Sequence, residues 1–408
     1  MLEVAEFRAV FSAQMLSAVG DMLAKVAVAV LVFDRTRSAF AAAAAFAIGY
    51  LPWVVGGPIM AAIADRMPWK RTLIGADLGR AVLVGALALP GVPLPVVLLL
   101  LFAAALLSPP FEAARSALLP ELLSGDRYVV GVSLSNIAGQ ACQLVGFVLG
   151  GPIVVLISPR GALLLDAVTF GVSALILRYG LANRPAPTGT AARASLMRET
   201  GAGLRLVLGH PVLRVYVLMV WLASAFAYAP EGLAPPLAEY LDPSPLSGEF
   251  DRDAVAVGLL LGASPLGTLI GGVVIGRYTA PDRRVRALRP LALLAVVALV
   301  PVALGPPLWV VLGLFVLSGF GMSFLLPLNA LFVQALPVSF RARAFGVVQA
   351  GLQVSQGVSI IFAGLAAEHL PVTAVVAASG LFGIVLVGAL SVAWPSSEAV
   401  RAPVPEPA

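Results

Sequence analysis

The chain has 408 residues, 60% of them hydrophobic and 12% charged, where ordinary soluble domains carry about 25% charged residues, so a soluble monomer is excluded. The net charge of +5 does not imply nucleic acid, because the basic residues sit in short loops between apolar runs and no basic domain could hold a duplex. Cys142, the single cysteine, lies in an apolar run, which excludes a disulfide framework and a cysteine-based zinc site.

Apolar runs long enough to cross a bilayer core recur along the whole chain. Helix breakers and charges divide them into twelve expected spans, near 9–33, 41–64, 72–90, 94–118, 128–157, 161–180, 212–240, 254–276, 290–304, 309–334, 343–367 and 372–394. MLEVAEFR at the N-terminus lacks the basic region of a signal peptide, and the run after it is too long for a signal-peptide core. With a cytoplasmic N-terminus, most of the 26 Lys and Arg fall on the inner side. Arg35, Arg37, Arg160 and Arg252 fall outside and Lys25 within a span, so the positive-inside rule sets the orientation. This is an all-α polytopic membrane protein, expected in the plasma membrane with both termini cytoplasmic. A non-spanning segment rich in Arg, Ala, Thr and Pro separates six spans from six. The expected units are a six-helix bundle over 1–180, a cytoplasmic linker over 181–211, a second bundle over 212–395 and a tail over 396–408.

In chain order, span 1 carries Gln14, Ser17, Asp21 and Lys25 on one narrow stripe at about 100° per residue. Such a stripe must face protein or water, because a charge facing hydrocarbon costs on the order of 3 kcal/mol. Asp21 lies roughly 18 Å into the helix at 1.5 Å per residue, near the midplane. Two roles fit it: an internal ion pair with Lys25 one turn away, or a carboxyl that carries a proton or touches substrate. Burial pulls such a group toward protonation and a neighbouring ammonium toward ionisation, which suits a proton carrier. Span 5 repeats the polar theme with Ser133, Asn136, Gln140 and Gln143, and span 11 with Gln349, Gln353 and Gln356. Asn329 and Gln334 in span 10 are further candidates for a substrate cavity, and these amides could equally bond helix to helix. Glu231, between Pro230 and Gly232 in span 7, is a second coupling candidate, and Pro235 and Pro236 predict a distorted outer end there. Gly146 and Gly150 in span 5, and Gly258, Gly262, Gly267, Gly271, Gly272 and Gly276 in span 8, form small-xxx-small pairs that predict close helix packing.

The halves echo one another. Pro110 and Pro120 precede span 5 as Pro327 and Pro337 precede span 11, and GVVIGRYTAPDRR at 272–284 echoes a Gly-then-charge loop earlier in the chain. That earlier loop lies in GGPIMAAIADRMPWKRTLIGADLGR, at 56–80. It resembles the G-x-x-x-D-R-x-G-R-K loop of the major facilitator superfamily at Asp65, Arg66, Lys70 and Arg71, although Ala61 replaces a usual Gly and Pro68-Trp69 fill the turn. PPFEAARSALLPELL, followed by NIAGQ and GFVLGGP, together with VGDMLAKVA around Asp21, resembles the macrolide and siderophore exporter branch of that superfamily. The span 4 arginine motif of many drug:proton antiporters is missing, since Arg115 sits at that span's cytoplasmic end.

The resemblance implies two parallel six-helix repeats with the substrate site between them near the midplane. It further implies that the loop of Asp65, Arg66, Lys70 and Arg71 latches the cytoplasmic side; a second latch there would pair Asp77 or Asp65 with Arg80 or Arg115. Glu112, in the exporter-like stretch, joins Asp21, Lys25 and Glu231 as a coupling candidate. The expected function is export of a small amphipathic compound by proton antiport, by a monomer that needs no cofactor or metal and meets only substrate, protons and membrane lipids. No phosphate loop appears, His210 and His369 lack metal-ligand spacing, and no catalytic triad can be assembled, so no enzyme is expected. Two alternatives stand beside export: a lysophospholipid flippase of the same superfamily, and a transport-inactive sensor or scaffold displaying the Arg-rich linker.

Overall fold

The computed structural model describes residues 3–52, 67–184, 204–205, 207–241, 252–336 and 341–394. Among them the regular structure is helical throughout, and nine stretches are long and apolar enough to cross a membrane. The helices are α1 (Ala5–Thr36), α2 (Ala39–Ala47), α3 (Trp69–Leu87), α4 (Leu94–Ala105), α5 (Ser108–Leu122) and α6 (Asp126–Gly180) in the first half. The second half holds α7 (Pro211–Tyr228), α8 (Ala234–Leu241), α9 (Arg252–Val273), α10 (Pro281–Val297), α11 (Leu308–Met322), α12 (Leu325–Ala335), α13 (Arg341–Ala367) and α14 (Val372–Val392).

Local chemistry sets the breaks. α1 stops where Arg37 turns left-handed at φ 50°, and Ser38 then caps α2 by accepting from the Ala41 N–H. α6 has 55 residues, roughly 80 Å at 1.5 Å per residue, far more than a bilayer core of about 30 Å. It reverses at Ser158, whose φ of 68° is followed by Pro159, a residue without an N–H to continue the ladder. The two arms are the expected spans 5 and 6. Spans 4 and 10 are each broken into two helices, and the second pieces begin at Ser108 and Leu325. Both restart just before the prolines at 110 and 327, so the repeat read from proline spacing reappears in the backbone. The distortion expected in span 7 is a 3-10 turn over Ala229–Leu233, between α7 and α8. A π-helical turn, Val274–Tyr278, ends span 8, and Arg284 folds back to donate to the carbonyls of Gly276 and Thr279, both at 2.7 Å.

The glycines work as packing surfaces. A Cβ on Gly146 would meet the Val19 carbonyl at 2.9 Å, and one on Gly150 the Val26 side chain at 2.7 Å, which seats the first arm of α6 against α1. Gly258 and Gly151 face one another across the halves, where a Cβ would come 2.6 Å from the Phe147 carbonyl and 2.4 Å from the Ala254 carbonyl respectively. Gly267 and Gly271 do the same for α9 against α11 and the turn after it. Gly272 and Gly276, also expected at a helix contact, have nothing within 4 Å among the described residues.

Candidate functional site

Between α1, α3, α5 and the second arm of α6 lies a cavity of about 320 Å³. Asp21 and Lys25 line it from α1, Arg80 from α3, Glu112 from α5 and Asp166 from α6, while Phe46 and Tyr50 close one side and Gln353 of α13 is the second half's contribution. An apolar span tolerates such charges only where they meet one another or water. The cavity gathers them in one place.

The geometry assigns the cations to aromatic rings. The Lys25 ammonium stands 5.6 Å from the Phe46 ring centre and 5.9 Å from that of Tyr50. No ion pair joins Lys25 to Asp21 among the described residues. The Arg80 guanidinium is held between two rings, 5.4 Å from Phe111 and 5.3 Å from Phe170, and its buried Nε has no acceptor. A flat, delocalised cation stacks on aromatic faces in this way. Close by, Asp77 is fully buried, accepting the Ser173 hydroxyl at 2.5 Å on one oxygen and nothing on the other.

Asp77 and Arg80, expected at the cytoplasmic gate, are buried on α3, which runs as one helix from Trp69 and carries them about 12 and 16 Å beyond its first residue. Arg115 binds Glu112 at 2.5 Å and Gln14 at 2.9 Å, linking α5 to α1. Lys70 donates to the Leu181 carbonyl at 2.6 Å within the first half, and Arg71 is exposed in the first turn of α3. Asp65 and Arg66 lie outside the described residues.

The expected substrate amides divide. Gln353 lines the cavity. Gln14 serves Arg115, Ser17 and Gln356 are buried, Gln140 is half-buried, and Asn136 and Asn329 are exposed without lining it. Glu231 is buried in the 3-10 turn of the second half and accepts the Tyr50 hydroxyl of the first half at 3.4 Å.

Sequence reasoning missed Asp166 and the closure at the far end of the molecule. Asp166 sits in the run ALLLDAVTF, and the rule that singled out Asp21 applies equally to it. The closure is built by Glu368, just after α13. Its carboxylate accepts the Ser38 hydroxyl at 2.7 Å and the Phe40 N–H at 2.8 Å, so a side chain of the second half completes the N-terminal cap of α2 in the first. The Phe40 N–H, then the Ser38 hydroxyl, hold this carboxyl below the usual carboxylate range. Arg37 and Glu239 add an exposed ion pair across the same end at 3.1 Å. Beneath them Ala43 packs where Cβ atoms on Gly232 and Gly364 would stand, at 3.2 and 2.3 Å. These crossings cluster at the end where α1 finishes.

The sequence profile described as Major Facilitator Superfamily matches residues 10–244 and 233–408. Macrolide efflux protein A of Streptococcus pyogenes is 21% identical over 386 residues, covering 90% of each chain. Among solved structures, a bacterial homolog to human lysosomal transporter Spinster, in an inward-facing and occupied conformation, superposes with a TM-score of 0.76 at 12% identity, covering 97% of both chains. The nucleoside transporter NupG gives 0.74 at 13% identity, over 95% of this chain and 100% of that one. A POT family transporter gives 0.73 at 15% identity, over 95% of both. With a helical fold shared with these transporters and a family match across both halves, this multi-pass membrane protein belongs to the Major Facilitator Superfamily.

Proposed function

We propose that the chain is a secondary active transporter of the plasma membrane that exports a small amphipathic compound in exchange for protons by alternating access. The observation that carries this reading is the cavity, in which Asp21, Glu112 and Asp166 face Lys25 and Arg80 inside an otherwise apolar bundle. Carboxyls in such a place bind and release protons as their neighbours move, and the aromatic and aliphatic wall accepts an amphipathic guest. The similarity to a macrolide efflux protein supports export, and the one-sided distribution of Lys and Arg supports cytoplasmic termini. The contacts crossing between the halves at the far end, Arg37–Glu239 and Glu368 with Ser38 and Phe40, then read as the closed external side of an inward-facing state. Every charged wall residue comes from the first half, so a monomer suffices.

The test is flux in proteoliposomes under an imposed pH gradient, across a panel of labelled amphipathic compounds. Asp21→Asn should lose pH-driven movement of whichever compound is carried. If the variant drives substrate against its gradient as well as the parent does, coupling lies elsewhere, with Glu231 and Glu112 the next candidates.

One observation favours a second substrate class. An apolar cleft of about 540 Å³ lies between α7, α13 and α14, flanked by the exposed rings of Phe362 and Phe382, and it suits an acyl chain arriving from the bilayer. Movement of lysophospholipid, and of no soluble compound, in the same vesicles would make the flippase reading the correct one.

A further inference from the structure

Asp166 has an environment unlike that of the other acids of the cavity. Its side chain is fully buried, and it packs on α1 at Gly20, where an added Cβ would lie 2.2 Å from its Oδ1 and 2.3 Å from the Thr169 hydroxyl. The missing Cβ at Gly20 lets this acid approach the backbone beside Asp21. Oδ1 lies 3.1 Å from the Thr169 hydroxyl, but that hydroxyl also lies 2.8 Å from the carbonyl of Asp166 itself. One hydroxyl carries one hydrogen, so the carboxyl has at most a shared donor. Among the described residues Oδ2 is buried without any partner, and no ion pair includes Asp166. Glu112, by contrast, has Arg115, and Asp77 has the undivided Ser173 hydroxyl.

An ionised carboxylate in this position is a buried charge that no cation contacts among the described residues, Arg80 standing near without an ion pair to it, an unfavourable way to bury the group. A carboxylic acid removes the charge and gives Oδ2 a hydrogen of its own. We propose that Asp166 is a proton-binding site of the transporter, neutral in the conformation seen here and carrying its proton on Oδ2 at the wall of the cavity. The charged groups around it are Asp21 from α1 and Arg80 from α3, with Lys25 of α1 and Glu112 of α5 lining the same cavity and Asp77 of α3 acting on the same Asp21 and Arg80. Arg80 is the group able to change its state, because among the described residues its Nε has no acceptor and it makes no ion pair, the guanidinium standing over two rings. When the helices shift and Arg80 reaches Oδ2, the O–H bond breaks, the electron pair stays on the carboxylate and the proton leaves to cavity water. This assignment rests on the proton-exchange reading and names a residue of α6 as a holder of the exchanged proton.

The experiment is infrared spectroscopy of the reconstituted protein, which reads the protonated carboxyl directly. The difference between the parent and Asp166→Asn should contain a carboxylic-acid C=O band at neutral pH that moves in heavy water. Asp77→Asn should leave that band in place. Gly20→Ala, whose methyl would displace the Asp166 carboxyl and the Thr169 hydroxyl from α1, should shift or reduce it, and this variant supports the test if Asp166→Asn does not fold. The absence of a band attributable to Asp166, in a folded protein, overturns the proposal. Flux separates the two ideas. A parent with the band but no response to a pH gradient loses the antiport reading and keeps the site, whereas a parent that antiports without the band loses only the site.

Discussion

The contacts that join the halves where α1 finishes offer the most direct test of the proposed alternating access. Glu368 is exposed, yet it accepts from the Ser38 hydroxyl and the Phe40 N–H at the first turn of α2, so the N-terminus of a first-half helix is completed by a second-half carboxylate. N-terminal capping contributes about 0.5–2 kcal/mol, and an anion near a helix N-terminus about 0.3–1 kcal/mol. For a solvent-screened group the lower part of these ranges applies, about 0.5–1 kcal/mol. Glu368→Ala should then shift the balance between externally closed and open states about two- to fivefold toward open. Glu368→Gln, which keeps an acceptor but no charge, should fall between the parent and Ala. Since the carboxyl is held below its ordinary value of 4.5, its contribution is complete above that pH and is lost as pH falls through the lowered value, so acid should loosen the parent and leave the Ala variant unmoved. The assay is a spin-label distance distribution between Arg35→Cys and Leu370→Cys in a Cys142→Ser background. A distribution that Glu368→Ala leaves unchanged, at neutral and at acid pH, would refute the reasoning.

Gly258→Ala should force apart the first arm of α6 and α9, because the new Cβ would meet the Phe147 carbonyl at 2.6 Å and backbone at Gly151 at 2.8 Å. Overpacking of this kind costs about 1–3 kcal/mol, readable as a lower melting temperature together with reduced transport. Arg80→Lys should destabilise the first half by about 1–2 kcal/mol, since an ammonium cannot stack between Phe111 and Phe170 as a planar guanidinium does, and an unchanged thermal unfolding curve would discount the sandwich. Glu112→Gln should remove the charge from the 2.5 Å pair and leave Arg115 two neutral acceptors, the new amide oxygen and Gln14. The expected result is a modest loss of stability, which a double-mutant cycle with Arg115 should show to be coupled.

What the sequence determined by itself follows from the bilayer as solvent. A helix in hydrocarbon must place its apolar residues outward and satisfy its own backbone, so span lengths, most breaks and the polar stripe of α1 can be read one helix at a time. Asp21, Lys25 and Gln353 are found this way and Glu112 through the exporter-like stretch around it, and all four line the cavity. Gly146, Gly150, Gly258, Gly262, Gly267 and Gly271 were identified as contact surfaces for the same reason. The tertiary structure decided which stripes meet. Asp77 and Arg80 fall inside the expected span 72–90, but only the packing around α3 buries them, beside Ser173 and the rings of Phe111 and Phe170. Lys25 has Asp21 one turn away, yet it turns to Phe46 and Tyr50, which reach it from the next span. Asp166 becomes distinctive only because Gly20, far away in the chain, leaves room for it. Glu368 is an unremarkable loop acid until the two halves come together and bring it to the start of α2. Periodicity reports which face of a helix avoids lipid, but the partner at that face is set by packing between segments distant in sequence, and the chemistry of the site resides in those partners.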